Sequence, residues 1–155
     1  MLKFLSFGSG SSGNCYILFT GADCLMIDCG VGIRTLKKHF YNYGLQMSMI
    51  HHILITHDHA DHVKSVGSIS GDLQLPVYAT DGTLQGIRNN WCVRRKIGTK
   101  LTHTINKGEE IQLGEFKVVA FEVPHDSTDC VGYSIEHDGV RFTLVTDCGH
   151  ITEDI

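Results

Sequence analysis

Residues 51–62 read HHILITHDHADH, an apolar run that ends in three histidines and two aspartates within seven positions. The run Ile53-Leu54-Ile55 has the composition of a buried strand, so the polar cluster begins where a core ends. Imidazoles and carboxylates placed there lose water without gaining partners unless a cation collects their lone pairs. In extended backbone His57 and His59 project to the same side, and Asp61 and His62 follow where the chain turns into a helix. One short loop therefore presents four nitrogen and oxygen donors toward two adjacent points. Such sets suit Zn²⁺, Mn²⁺ or Fe, and two cations about 3.5–4 Å apart can share a bridging water.

Working outward from the cluster, residues 33–43 carry apolar positions at Ile33, Leu36, Phe40 and Tyr43, the spacing of a helix with one buried face. Val63, Val66 and Ile69 predict a short helix over 62–70. LPVYAT reads as the next strand, and DGTLQGIRNN as a helix opened by Thr80 or Asp81. Toward the C-terminus, EEIQL and FKVVAFEV flank the turn GE, while VGYSIE and VRFTLVT flank HDG, so both pairs read as hairpins. At the N-terminus the strand LKFLSF leads into GSGSSG at 8–13, which matches the glycine pattern of a dinucleotide site with Asp28 about twenty residues on. That reading needs a helix next. CYILF-TGAD-CLMID is instead a hairpin, so the glycines form a tight loop whose Ser9, Ser11, Ser12 and Asn14 can line a nearby site.

The 155 residues are 42% hydrophobic and 19% charged, the make-up of one globular domain with a real core. No apolar stretch approaches the roughly 20 residues that span a bilayer, and no signal peptide is legible, so a cytoplasmic setting without membrane contact is expected. Six cysteines without C-x-x-C spacing read as reduced, buried thiols. A formal net charge of −4 gives no global basic footprint, and ten histidines is the compositional anomaly. His51, His52, His103 and His137 read as ordinary surface or turn histidines, and His39, on the predicted helix, as a solvated or boundary residue. One local basic segment, IRNNWCVRRKIGTK, gathers Arg88, Arg94, Arg95, Lys96 and Lys100 around Trp91; it is either a solvated charge run or a grip for a phosphate backbone with an aromatic to stack a base.

His57, His59, Asp61 and His62 stand in the H-x-H-x-D-H pattern, and IDCG (Asp28), VPHD (His125) and TDCG (Asp147) each close a predicted strand. In this the chain resembles the metallo-β-lactamase-fold hydrolases along essentially its whole length. LSFGSGSSGNCY and PHDSTDCVGYSI resemble more narrowly the bacterial subgroup of exonuclease-like hydrolases called YycJ or WalJ (also VicX). The resemblance implies an α/β fold of the α+β four-layer type, an αββα sandwich, of which residues 1–155 would form the N-terminal half and part of the second.

By position, the resemblance implies that His57, His59 and His125 hold one metal, that Asp61 and His62 help hold a second, and that Asp147 bridges both. Asp61 and Asp147 are thereby the expected catalytic carboxylates, and Asp28 orients a ligand histidine from behind. Ser12, Asn14, Ser127, Trp91, Arg94 and Arg95 are candidate substrate contacts. The family draws a further histidine from well beyond its bridging aspartate, whereas this chain ends eight residues after Asp147 with only His150 nearby. A truncated chain, with an exposed face covered by a second copy in a homo-oligomer, is the expectation. Three functions remain open: a two-metal (Zn or Mn, with Fe a third option) phosphodiesterase or exonuclease acting on nucleic acid through a bridging hydroxide; a hydrolase of another ester, thioester or lactam; and a metal- or partner-binding remnant with little turnover.

Overall fold

The computed structural model describes residues 2–8, 13–123 and 130–145. Strands β1 (Lys3–Gly8), β2 (Cys15–Phe19) and β3 (Cys24–Ile27) form an antiparallel meander, as the sequence predicts. The chain then alternates: α1 (Ile33–Asn42), β4 (Ile50–Leu54), α2 (Ala60–Val63), α3 (Val66–Leu73), β5 (Val77–Ala79), α4 (Asp81–Asn89) and β6 (Thr102–Thr104). Each helical crossover returns the next strand parallel to the last, so β3 to β6 form the parallel side of a six-stranded sheet in chain order. Strands β7 (Glu110–Leu113), β8 (Phe116–Glu122), β9 (Val131–His137) and β10 (Val140–Leu144) make a second, antiparallel sheet. Its last hairpin turns at Asp138 and Gly139, both at positive φ (50° and 80°), the conformation a two-residue hairpin loop requires.

Strand periodicity sorts the side chains into two cores. Ile17, Met26, Ile53 and Val77 face the helices and pack on Leu36, Phe40, Val63, Val66, Ile69, Leu84 and Ile87. Leu18, Leu25, Ile27 and Leu54 face the other way, onto Phe116, Val118, Val131, Tyr133 and Ile135 of the second sheet. Both faces of β2 and β3 are therefore buried, which explains why CYILF and CLMI are apolar without alternation. Helices, sheet and sheet are three of the four expected layers.

Three local readings change. The helix expected over 62–70 is broken, because Ser65 N–H leaves the helical ladder to bond Cys29 O at 3.0 Å, splitting α2 from α3. Strand β4 stops at Leu54, since Thr56 N–H turns to the Asp28 carboxylate. Tyr43, expected on the buried face of α1, is 56% exposed beyond the helix end, against Phe7.

Five described cysteines (15, 24, 29, 92 and 130) are free thiols. Burial, reinforced by Asp23, pushes the Cys24 thiol up to about 12, and burial also raises Cys15 and Cys29 far above an ordinary thiol. They behave as small core hydrophobes and not as nucleophiles.

Candidate metal centre

Parallel strands collect their following loops at the carboxyl edge of a sheet. The last β3–β4 pair is Ile27 with Leu54, so Asp28 and residues 55–62 emerge side by side. Asp28 has φ 67°, a left-handed conformation that Asp tolerates better than most residues, and its amide bonds Leu54 O at 2.8 Å. The bend drives its carboxylate under the histidine loop, fully buried. There it accepts from Thr56 N–H (2.8 Å), Thr56 Oγ1–H (2.8 Å) and His62 Nδ1–H (2.6 Å).

Those bonds settle two tautomers. A carboxylate only accepts, so His62 carries its proton on Nδ1. Thr56 has one hydroxyl proton and gives it to Asp28, so toward His57 Nδ1, 2.8 Å away, its oxygen can only accept. His57 is therefore also protonated on Nδ1. In the neutral form of either ring the lone pair then sits on Nε2, the arrangement a metal-ligating histidine takes when its other nitrogen is held from behind. Both rings are fully buried, with centroids 4.0 Å apart, and His59 lies edge-on to His57 at 4.6 Å on the exposed side.

Asp61 completes the loop. Asn14 donates its Nδ2–H to Asp61 Oδ2 (3.2 Å) and to Asp61 O (3.1 Å), and is itself steadied by Tyr16 O–H at 3.1 Å. Asp61 Oδ2 lies 3.8 Å from His62 Nε2, beyond a hydrogen bond yet within the ~4 Å that two donors each ~2 Å from one cation can span. The fit to divalent cations rests on this donor chemistry: imidazoles with fixed tautomers beside a carboxylate, two of them without contact to water. Among the described residues no group of three or more His, Cys, Asp or Glu side chains is placed to hold a metal ion. His125 and Asp147, expected as further ligands, lie outside the described residues, as do Ser12 and Ser127.

Of the remaining candidates, Asn14 is a support of Asp61. Trp91 is 84% exposed, and Arg94 is also on the surface. Arg95 is occupied by Asp72, at 2.6 Å. His51 pairs with Asp23 at 2.7 Å, while His52 and His103 flank the Tyr78 ring and His39 stacks on Phe7. Burial, the largest influence, pulls His52 below an ordinary histidine.

Sequence reasoning missed Thr56, which faces His57 Nδ1 and shares the Asp28 carboxylate with His62; its only visible signal is a hydroxyl residue directly before the first histidine. Thr56→Val keeps the shape and deletes the hydroxyl. It is expected to destabilise the chain by about 1–3 kcal/mol in chemical denaturation, because Asp28 and His57 each lose a buried partner. Retention of divalent metal should fall by roughly 10-fold or more in a competition titration.

Set against known proteins, residues 24–155 match the beta-lactamase superfamily domain. The chain is 28% identical over 152 residues to the exodeoxyribonuclease YycJ of Bacillus anthracis, covering 98% of this chain and 56% of that protein. It is likewise 28% identical over 151 residues to the exodeoxyribonuclease WalJ of Streptococcus pneumoniae, covering 97% of this chain and 56% of the relative. This chain thus spans about half the length of these relatives. Among solved structures, the FEZ-1 metallo-β-lactamase of Legionella gormanii superposes with a TM-score of 0.70 at 17% identity, over 90% of this chain and 58% of that one. Divalent metal is what this fold implies, and with the helix–sheet–sheet layers and the histidine loop in place the chain belongs to the beta-lactamase superfamily.

Proposed function

We propose that this chain carries the metal-holding core of a hydrolase that cleaves phosphodiester bonds in nucleic acid. The observation that carries the reading is the Asp28–Thr56 lock, which leaves two buried imidazoles 4.0 Å apart with their lone pairs on Nε2. The exodeoxyribonuclease names of its relatives supply the substrate class. His57, His59, Asp61 and His62 would hold the metal, zinc or manganese, with His125 and Asp147 as the further ligands. When bound, such ions supply hydroxide at neutral pH and offset charge on the phosphate oxygens.

The chain's own residues do the rest. Asp28 and Thr56 keep protons on Nδ1, so neither histidine drifts to the wrong tautomer. Burial of His57 and His62 keeps water from the rear of the site, and exposed His59 marks the side from which substrate enters. Asn14 holds one Asp61 oxygen. Burial holds the Cys15 and Cys29 thiols in the protonated form, so neither offers a nucleophile to the site. Free thiols also support a reducing, cytoplasmic setting.

The test is cleavage of labelled single- and double-stranded DNA by the full chain with Mn²⁺ or Zn²⁺, beside a thioester and a β-lactam, with metal content measured on the same sample. DNA cleavage that chelator stops, and that His59→Ala lowers to the metal-free level, is the expected result. Turnover of the thioester or lactam alone overturns the nucleic-acid reading. About one tightly held ion per chain with no turnover of any substrate overturns the hydrolase and leaves a metal-binding module.

A further inference from the structure

We infer that Trp91 is a stacking platform for an unpaired base of a single-stranded substrate, held in fixed relation to the metal loop by Asn90. This deepens the nucleic-acid reading above and rests on it. Asn90 follows α4 and commits its whole side chain: Nδ2–H donates to Asp58 O at 3.0 Å, and Oδ1 accepts from Cys92 N–H at 2.9 Å. Its carbonyl accepts from Val93 N–H at 3.0 Å and from Lys96 Nζ at 2.8 Å. Val93, 1% exposed, anchors the far side of the turn in the helix-facing core.

The contact at Asp58 ties this turn to the candidate site, because Asp58 lies between His57 and His59. Asp58 also turns its own carboxylate to α4, where Oδ2 occupies the space a Cβ on Gly86 would need, only 1.7 Å away. Helix and loop are thus joined at two points, one of them a single residue from Trp91. The indole itself remains 84% exposed on a turn whose backbone is clamped on both sides. An exposed aromatic carried on a fixed backbone turn next to a hydrolytic loop is what base stacking uses, since every base has a π-face and little backbone order need be lost on binding.

The structure divides the basic segment accordingly. Arg95 pairs with Asp72, and Lys96 caps α4 through Ile87 O and Asn90 O, so both act within the fold. Arg94 and Arg88 stay on the surface, Arg94 three residues after the indole and Arg88 three before it. They are the surface cations of the segment nearest Trp91 in the chain, available to phosphates of a strand whose base lies on it.

Trp91 is the only tryptophan in the sequence, so its fluorescence reports one site. The full chain, with chelator present to prevent cleavage, is titrated with a deoxyadenosine oligomer of about eight nucleotides. Expected are quenching of the indole emission, and affinity weaker by about 5- to 150-fold in Trp91→Ala when binding is followed by anisotropy of a labelled oligomer, with Trp91→Phe recovering most of the loss. An abasic oligomer of equal length, which keeps the phosphates, should bind without the quench. Equal affinity in Trp91→Ala, or equal quenching by the abasic oligomer, overturns the platform. The two readings fail separately. Quenching by a chain that cleaves nothing keeps the platform and sinks the hydrolase, whereas DNA cleavage with KM unchanged in Trp91→Ala keeps the hydrolase and sinks the platform.

Discussion

Gly30→Ala is expected to cost the chain more than about 3 kcal/mol, at the severe end for a single methyl group, and to lower its melting temperature by roughly 6 °C or more. A Cβ at Gly30 would stand 1.8 Å from Asp61 O and 2.6 Å from Asn14 N, and both are backbone atoms that cannot step aside by changing rotamer. Three segments are tied together at this point. Gly30 N–H bonds Asn14 O (2.9 Å), Asn14 N–H bonds Asp61 O (2.7 Å), and Cys29 N–H bonds His62 O (2.7 Å). The added carbon cannot fit without prising the β3 loop from the metal loop, which would also displace Asp61. Thermal unfolding followed by circular dichroism checks the first effect. Gly32→Ala is the control, because its Cβ would meet nothing within 4 Å, and as the N-cap of α1 it should cost no more than about 1 kcal/mol. Equal melting of the two variants would show that the loops are not locked together in this way.

The sequence announces the histidine loop but not its support, for a physical reason. Three histidines and two aspartates after an apolar run are costly in any fold without a cation, so chemistry alone makes them conspicuous. Thr56, Asn14 and Asn90 are common polar residues whose roles depend on partners 28, 47 and 32 positions away, and no local pattern encodes such contacts. The helices were legible because their burial is periodic, and the central strands because they are short apolar runs bounded by turn residues. Strand β6 was not, since Thr102, His103 and Thr104 form a short polar edge with no apolar alternation, held to β5 by backbone pairing and by His103 stacked on Tyr78. The break between α2 and α3 was hidden for the same reason as Thr56: the residue that makes it, Ser65, answers to Cys29 across the fold. His125 and Asp147 lie outside the described residues, and their convergence on the loop is part of the proposal.

Asp28→Asn asks whether the carboxylate acts through its charge and acceptors or merely through its shape. Asn is as much at home as Asp in the left-handed conformation at φ 67°, so the backbone gives no reason for a change. The side chains are also nearly isosteric. What changes is the hydrogen-bond count: the carboxylate takes protons from Thr56 N–H, Thr56 Oγ1–H and His62 Nδ1–H, whereas an amide has one acceptor oxygen and an N–H₂ that must face at least one of those donors. His62 can escape the clash only by moving its proton to Nε2, which removes the lone pair a metal would use. Thr56 can escape by rotating its hydroxyl toward His57 Nδ1, which forces the opposite tautomer on that ring. The expected outcome is a loss of about 2–3 kcal/mol of stability, from donors left unsatisfied where no water reaches. A fall of 10- to 100-fold in divalent-metal affinity should accompany it, measured by competition with a chelating dye on protein confirmed as folded. Asp61→Asn is the counterpart, since Asp61 is partly exposed and its backbone carbonyl, not its charge, carries the tie to Asn14 N–H. It should weaken metal retention with little change in melting. If Asp28→Asn instead holds metal as tightly as the parent, the lock beneath His57 and His62 does not set their tautomers, and the buried pair of imidazoles is core and not ligand.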